Sequence, residues 1–256
     1  MSAKFTRFYF FLLLFSISSF MPCTVKGQSQ KHPATTAQLI KQWKKKHAHH
    51  TLKSFTFAQE TIRFKDGEAV DTSIWYEAIA FPDRFRIDIG AKAGNINLFR
   101  NDSIYVLRKD SLIFSGHKVP EALVMKGALY FQPVDSTLSN LKALDIDIDQ
   151  FDTGTYEGRP AYIIGAKAGI DNQPQIWVDA ERRNVLRRSG KLKNGKLLEV
   201  RYGDFVEVGG HWLESWVAFY IDGQLIQTER YKDIEVDVKL PEAIFDPILF
   251  PNAYWY

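Results

Sequence analysis

Apolar residues alternate in short runs separated by turn pairs over most of the chain. Asp66-Gly67, Asn101-Asp102, Glu157-Gly158, Asn194-Gly195, Gly209-Gly210 and Asp222-Gly223 each stand where a two-residue hairpin needs φ > 0. The spacing predicts an antiparallel meander from about residue 50 onward. Some strands are apolar on both faces. Trp212, Trp216, Ala218 and Tyr220 share one parity, and Leu213, Val217, Phe219 and Ile221 the other, so apolar material is expected on each side of the sheet.

Three segments break the alternation. After a candidate Thr36 cap, Leu39, Ile40 and Trp43 mark one amphipathic helix ending near 47–50. Pro120 suits the first turn of a second, with Ala122, Leu123, Met125 and Leu129 as its apolar stripe. After Pro133, Asp135 or Ser136 caps a third, with Leu138, Leu141 and Leu144 every three residues. Pro82 hinges two strands within 73–89, because proline cannot donate to a central ladder. These elements predict a mainly β (α+β) fold. Its curved antiparallel sheet of about ten or eleven strands forms an unclosed half-barrel, with one N-terminal helix and two inserted lid helices on the concave side. Incomplete filling of the curl leaves an apolar pocket.

The N-terminus has a different character. Lys4 and Arg7 precede an apolar run from Phe8 to Phe20, and small residues before Gln28 offer a cleavage point, so residues 1–27 are expected to be a secretory signal. The run is too short to span a bilayer. Residues 28–34 form a polar leader, 35–247 the half-barrel domain and 248–256 an apolar tail. The protein is expected to be exported and periplasmic. Cys23 is the single cysteine, so no intrachain disulfide forms. Its alternative role is as an acylated cysteine anchoring the protein at the outer membrane. Phe20-Met21-Pro22 argues against that, lacking the small residue expected before such a cysteine.

Charge and composition exclude several classes. The chain is 45% hydrophobic and 14% aromatic, enough for a real core. Residues 1–27 carry Lys4, Arg7 and Lys26 and no acid, so removing them takes the 33 Lys and Arg to 30, equal to the 30 Asp and Glu. A near-zero charge gives no basis for nucleic-acid binding. His47, His49 and His50 follow three lysines, which disfavour a bound cation. Asp145, Asp147 and Asp149 imitate a calcium loop, but Gln150 stands at the glycine position and Tyr156 at the final glutamate position. No Gly-x-Ser-x-Gly elbow, phosphate loop or His-Glu-x-x-His occurs, and Asp110, Ser111 and His117 are only neighbours in sequence. No enzyme, cofactor or metal is expected, and an exported hydrolase is a remote alternative.

Family resemblance rests on several pieces in order. Ala80-Phe81-Pro82-Asp83-Arg84-Phe85-Arg86-Ile87-Asp88 resembles the Pro-x-x-Phe-Arg strand of the bacterial lipoprotein carriers LolA and LolB. Phe99 to Val106 is similar to the family hairpin with a central aromatic, Ile176-Trp177-Val178-Asp179 to its Trp-x-Asp strand, and Ile234 to Val238 followed by Pro241 to Phe245 to its ending. The resemblance implies a lipoprotein carrier whose apolar cavity holds acyl chains. Its partners would be acylated lipoproteins or lipid, an inner-membrane release machinery and an outer-membrane acceptor, with the carrier a monomer. A sensor of the same fold that binds lipid or lipoprotein is the alternative. Such sensors carry a second domain, for which the sequence to residue 256 leaves no room.

In the family an inner-strand arginine holds the lid helices through their carbonyls, and the matching residue is Arg86, whose planar fork serves several acceptors. Expected acyl-cavity residues are Phe55, Phe57, Trp75, Phe81, Phe85 and Ile87, with Leu98 and Trp177. The expected lid face is Leu123, Met125, Leu129, Leu138 and Leu141. Phe85 and Arg86 have opposite parity, so both cannot face the cavity. The tail either meets a membrane or partner, or folds back over a sheet edge.

Overall fold

The computed structural model describes residues 32–48, 51–90, 94–128 and 132–256. Residues 1–27, expected to be a secretory signal, and with them Cys23, as well as His49, His50 and Leu129, lie outside the described residues. Contacts group Pro33–Tyr256 into one compact unit.

Helix α1 (Thr36–His47) is capped by Thr35, one residue before the expected cap, whose hydroxyl accepts from the Gln38 amide at 3.2 Å. The strands follow as β1 (Ser54–Lys65), β2 (Glu68–Ala80), β3 (Arg84–Ile89), β4 (Ile96–Arg100), β5 (Ser103–Arg108) and β6 (Ser111–His117). The insertion holds α2 (Glu121–Leu123), a continuing π turn (Val124–Ala128) and α3 (Val134–Ala143). Then come β7 (Phe151–Tyr156), β8 (Arg159–Ile164), β9 (Gln175–Asp179), β10 (Val185–Lys191), β11 (Leu197–Gly203), β12 (Val206–Val208), β13 (His211–Leu213), β14 (Trp216–Ile221) and β15 (Gln224–Val236).

Thirteen strands form one sheet in the order β6-β5-β4-β3-β2-β1-β15-β14-β11-β10-β9-β8-β7, and β12-β13 form a separate ribbon. Neighbours pair antiparallel, and β6 and β7 are left as unjoined edges, so the half-barrel is open. The strand count exceeds the expected ten or eleven partly because β7 and the short β12 and β13 lack long apolar runs. Five of the six turn pairs have both residues at positive φ. In the sixth only Gly195 does (φ 82°). Lys109-Asp110 adds a left-handed turn (φ 50° and 61°) that no glycine announces.

The β1–β15 pairing joins the two meanders at the sheet's middle, with Gln59 opposite Tyr231 and Thr61 opposite Glu229. Because β6 and β7 are the outer edges and consecutive in the chain, the 118–150 connection must travel from one edge to the other. It does so across the concave face. Leu123 packs there with Phe55, Phe85, Val200 and Val217, while Val124, Met125 and Leu141 join Leu39, Ile40 and Trp43 against Tyr162, Ile176 and Val178.

The opposite, outer face is covered over β2 to β5 by the C-terminal segment. Ile244, Phe245 and Phe250 bury themselves against Ala78, Ala80, Ile96, Leu98 and Leu107. The tail therefore folds over a face of the sheet, not over an edge. Tyr256 stacks on Tyr76 at 4.0 Å.

Candidate functional site: a cavity under the inserted helices

Alternation along β3 separates two environments. Phe85 and Ile87 point to the concave side, and Arg84, Arg86 and Asp88 to the outer side. The concave side chains of β2, β3, β11, β14 and β15 leave a cavity of about 260 Å³ bounded by Trp75, Glu77, Phe85, Ile87, Leu198, Val200, Tyr202, Val217, Phe219, Glu229 and Tyr231. Its roof is Glu121, Ala122 and Lys126 of the insertion. A second cavity of about 460 Å³ lies at the end of α1, between Lys46, His47, Met125, Arg182, Trp212 and Glu214. Lys126 borders both.

Lys126 is the one charged side chain of the π turn, and it reaches into the wall. Its ammonium lies 3.1 Å from Glu214 Oε1, donates to the Tyr231 hydroxyl and stands 4.1 Å from the Tyr231 ring centre and 4.9 Å from that of Phe57. Tyr231 in turn donates to Glu229 at 3.1 Å, and Gln227 donates to the same carboxylate at 2.8 Å. Glu77 is 4% exposed, and its Oε2 has no hydrogen-bond partner among the described residues. Burial, opposed by Lys126 and reinforced by Glu229 and Glu214, pushes the Glu77 carboxyl up to about 8. Burial likewise raises Glu229, and raises the Tyr202 and Tyr231 hydroxyls well above their ordinary range.

The expected cavity residues divide by parity. Trp75, Phe85 and Ile87 line the cavity. Phe55 and Phe57 lie on the same face but are packed in the cluster beneath Leu123, with Phe81 at its margin. Leu98 and Trp177 do not face the cavity. Leu98 pairs with Arg86 across β3–β4 and is buried under the C-terminal segment. Trp177 alternates with the inward Ile176 and Val178, so it stands on the outer face, where Gly154 leaves room for its ring and Arg187 lies 5.9 Å from its centre. Of the expected lid face, Leu123, Met125, Leu138 and Leu141 all pack into the concave-side core.

Arg86 requires a correction. Its guanidinium is 1% exposed and bonds to Asp88 (2.7 and 2.8 Å) and to the carbonyls of Phe250 (3.0 Å) and Ile244 (3.3 Å). The acceptors belong to the C-terminal segment, because the parity of β3 turns residue 86 away from the insertion. Arg84 pairs with Glu242, and Arg100 donates to the Phe245 carbonyl at 3.1 Å, so three arginines fasten the same segment. The Pro-x-x-Phe-Arg strand and the Pro-x-x-x-Phe ending thus meet in space.

Sequence reasoning missed Lys126, Glu77, Glu214 and Glu229. The available signal was Glu77 alone among apolar residues at the end of β2, and Lys126 inside an apolar stripe.

This architecture is shared by solved structures of low sequence identity. An outer-membrane lipoprotein-sorting protein domain from Vibrio parahaemolyticus, itself described as putative, superposes with a TM-score of 0.56 at 10% identity, over 84% of this chain and 97% of that one. A LolA superfamily protein from Nitrosomonas europaea gives 0.55 at 14% identity, over 84% and 99%. The chain has a LolA-like fold. A DUF1329 family protein from Desulfovibrio piger gives 0.54 at 16% identity, over 83% and 95%. No family model and no curated protein matches the sequence. These superpositions establish the LolA-like fold and leave the function of this half-barrel to its own cavity.

Proposed function

We propose that this protein is an exported carrier of acylated lipoproteins or lipid, holding acyl chains between its half-barrel wall and the inserted helices. The observation that carries the reading is the cavity against Trp75, Phe85, Ile87, Val200 and Phe219, roofed by a segment that crosses from one free sheet edge to the other. Each methylene moved from water into such a site gains about 0.8 kcal/mol, which is the free energy a carrier must match to take a chain from a membrane. About 260 Å³ is slightly below the usual size of a ligand site. Lys126 borders both this cavity and the neighbouring one of about 460 Å³, and in this reading its displacement enlarges the site.

The reading places this chain between a membrane machinery that releases cargo to it and an acceptor that receives it, as a monomer without catalysis. Among the described residues no helix is long and apolar enough to cross a membrane. Native mass spectrometry of the exported protein tests the proposal. Acylated adducts that detach on activation are expected, and protein that neither carries such an adduct nor takes up a diacylated lipopeptide would refute it.

A further inference from the structure

The acyl-carrying reading accounts for the apolar wall but not for the acids set into it. Glu77, Glu229 and Glu214 converge from β2, β15 and the residue after β13, with one cation, Lys126, among them. Lys126 spends its hydrogen bonds on Glu214 and Tyr231. Glu229 is held by Gln227 and Tyr231. Glu214 lies at the neighbouring cavity, and the third acid bordering this one, Glu121, is paired with Arg188 at 2.6 Å. Glu77 is left with an unpartnered oxygen at the cavity wall, more than nine-tenths buried. A buried polar group in that state is costly unless something completes its hydrogen bonds. Lys126 is taken by Glu214, so among the described residues no ammonium is bonded to Glu77 or Glu229, and the group that would complete both when they ionise is a cation that also donates hydrogen bonds.

We propose that the cavity takes an amine-bearing amphiphile, its chain against Trp75, Phe85, Ile87 and Phe219 and its ammonium against Glu77 and Glu229. The proposal deepens the carrier reading by assigning a polar head to the ligand and rests on that reading for the chain. An ammonium suits the site because its three donors can serve the free Glu77 oxygen and a Glu229 oxygen together. A carboxylate head would add a fourth acid to the cluster. An uncharged hydroxyl could bond the protonated Glu77 but would gain nothing from its ionisation.

Among the described residues, the charged and titratable groups facing Glu77 are Glu229 and Tyr231 on β15, Tyr202 on β11, Glu214, Lys126 on the π turn and Glu121 on α2, and none of the histidines borders this cavity. Because Glu77 holds its proton up to about pH 8 in the empty protein, an arriving ammonium must displace that proton. Ammonium binding therefore strengthens as the pH rises toward 8, while binding of an uncharged head does not depend on this proton.

Calorimetric titration of the full protein with 1-octylamine, 1-octanol and octanoate separates the chain from the head. At pH 7 octylammonium is expected to bind at least tenfold more tightly than octanol, with octanoate weakest. Between pH 6 and 8 its affinity should rise by up to about tenfold per unit. Glu77→Gln should bring the octylammonium-to-octanol ratio toward one, and the wild-type pH series decides the matter if that variant fails to fold. Equal affinities, a preference for octanoate, or a preference unmoved by both pH and Glu77→Gln would overturn the proposal while octanol binding leaves the carrier reading standing. Octanol failing to bind while octylammonium binds would overturn the carrier reading and the chain placement that rests on it, leaving only an ammonium site at Glu77. Absence of binding by all three probes defeats both.

Discussion

Lys126 of the inserted segment and Glu214, the residue after β13, stand 3.1 Å apart, both almost wholly buried, and tie the roof of the cavity to the end of the β12–β13 ribbon. The resemblance to lipoprotein carriers implied an arginine on the wall reaching the carbonyls of the lid. Here the cation sits on the inserted segment, and its acceptors are Tyr231 of the wall and Glu214 after β13.

Removing one partner of a buried pair leaves the other charge uncompensated, at about 3–5 kcal/mol. Lys126→Met should lower stability by that order in urea unfolding and speed hydrogen exchange across 121–128. Lys126→Met combined with Glu214→Gln should recover part of the loss, because no unpaired charge then remains at Glu214. A double variant no more stable than the single one would count against the pair as the tie.

Glu77 makes stability depend on pH. Its folded pKa, about 8, lies above its unfolded value near 4.5, so the native state binds the extra proton between those limits. Stability is therefore retained below about pH 4.5 and falls as pH rises toward 8, by a few kcal/mol in order of magnitude. Glu77→Gln should remove this decline, so its melting temperature should gain on the wild type with rising pH. Parallel curves from pH 5 to 8 would show that the Glu77 proton is not held in this way.

Arg86 should govern the C-terminal segment, not the lid. Arg86→Met strands Asp88, buried on the outer face, and frees the carbonyls of Ile244 and Phe250, at several kcal/mol. Hydrogen exchange should rise at 242–256 first and leave 121–143 little changed. The opposite order would restore the lid-anchor role that the family resemblance implied.

The tail divides into a buried and an exposed part. Phe250→Ala should cost about 3–5 kcal/mol, because its ring is enclosed by Ile244, Phe245 and the outer face of the sheet. Ile248 is 83% exposed, and Ile248→Ser should shift the unfolding midpoint by less than about 0.5 kcal/mol. Equal costs at the two positions would mean that the tail is not seated by Phe250.

Much of the fold was legible because it follows local rules. Turn pairs such as Asp66-Gly67 and Asp222-Gly223 announce hairpins through their backbone demands, and the period of apolar residues separates α1 from the strands. Parity alone showed that Phe85 and Arg86 face opposite ways. It did not show which way was inward, and the family resemblance assigned Arg86 to the wrong face for this chain. Leu98 and Trp177 were misplaced for the same cause: an apolar side chain looks alike on either face, and Leu98 lies under the C-terminal segment while Trp177 stands on the outer face beside Gly154 and Arg187. Glu77, Glu229, Glu214 and Lys126 meet only through the β1–β15 pairing and the crossing of the insertion, and such long-range register leaves no local mark.

The central claim is that the space between wall and insertion holds acyl chains. Calorimetric titration with a diacylglyceryl-cysteine peptide and its unacylated counterpart, on the wild type and on Val200→Trp, tests it most directly. Val200→Trp fills the cavity from the wall and leaves the outer face untouched. The account predicts saturable binding of the acylated peptide only, weakened at least tenfold by Val200→Trp. Equal binding of both peptides, or acylated binding unaffected by the filled cavity, would contradict it.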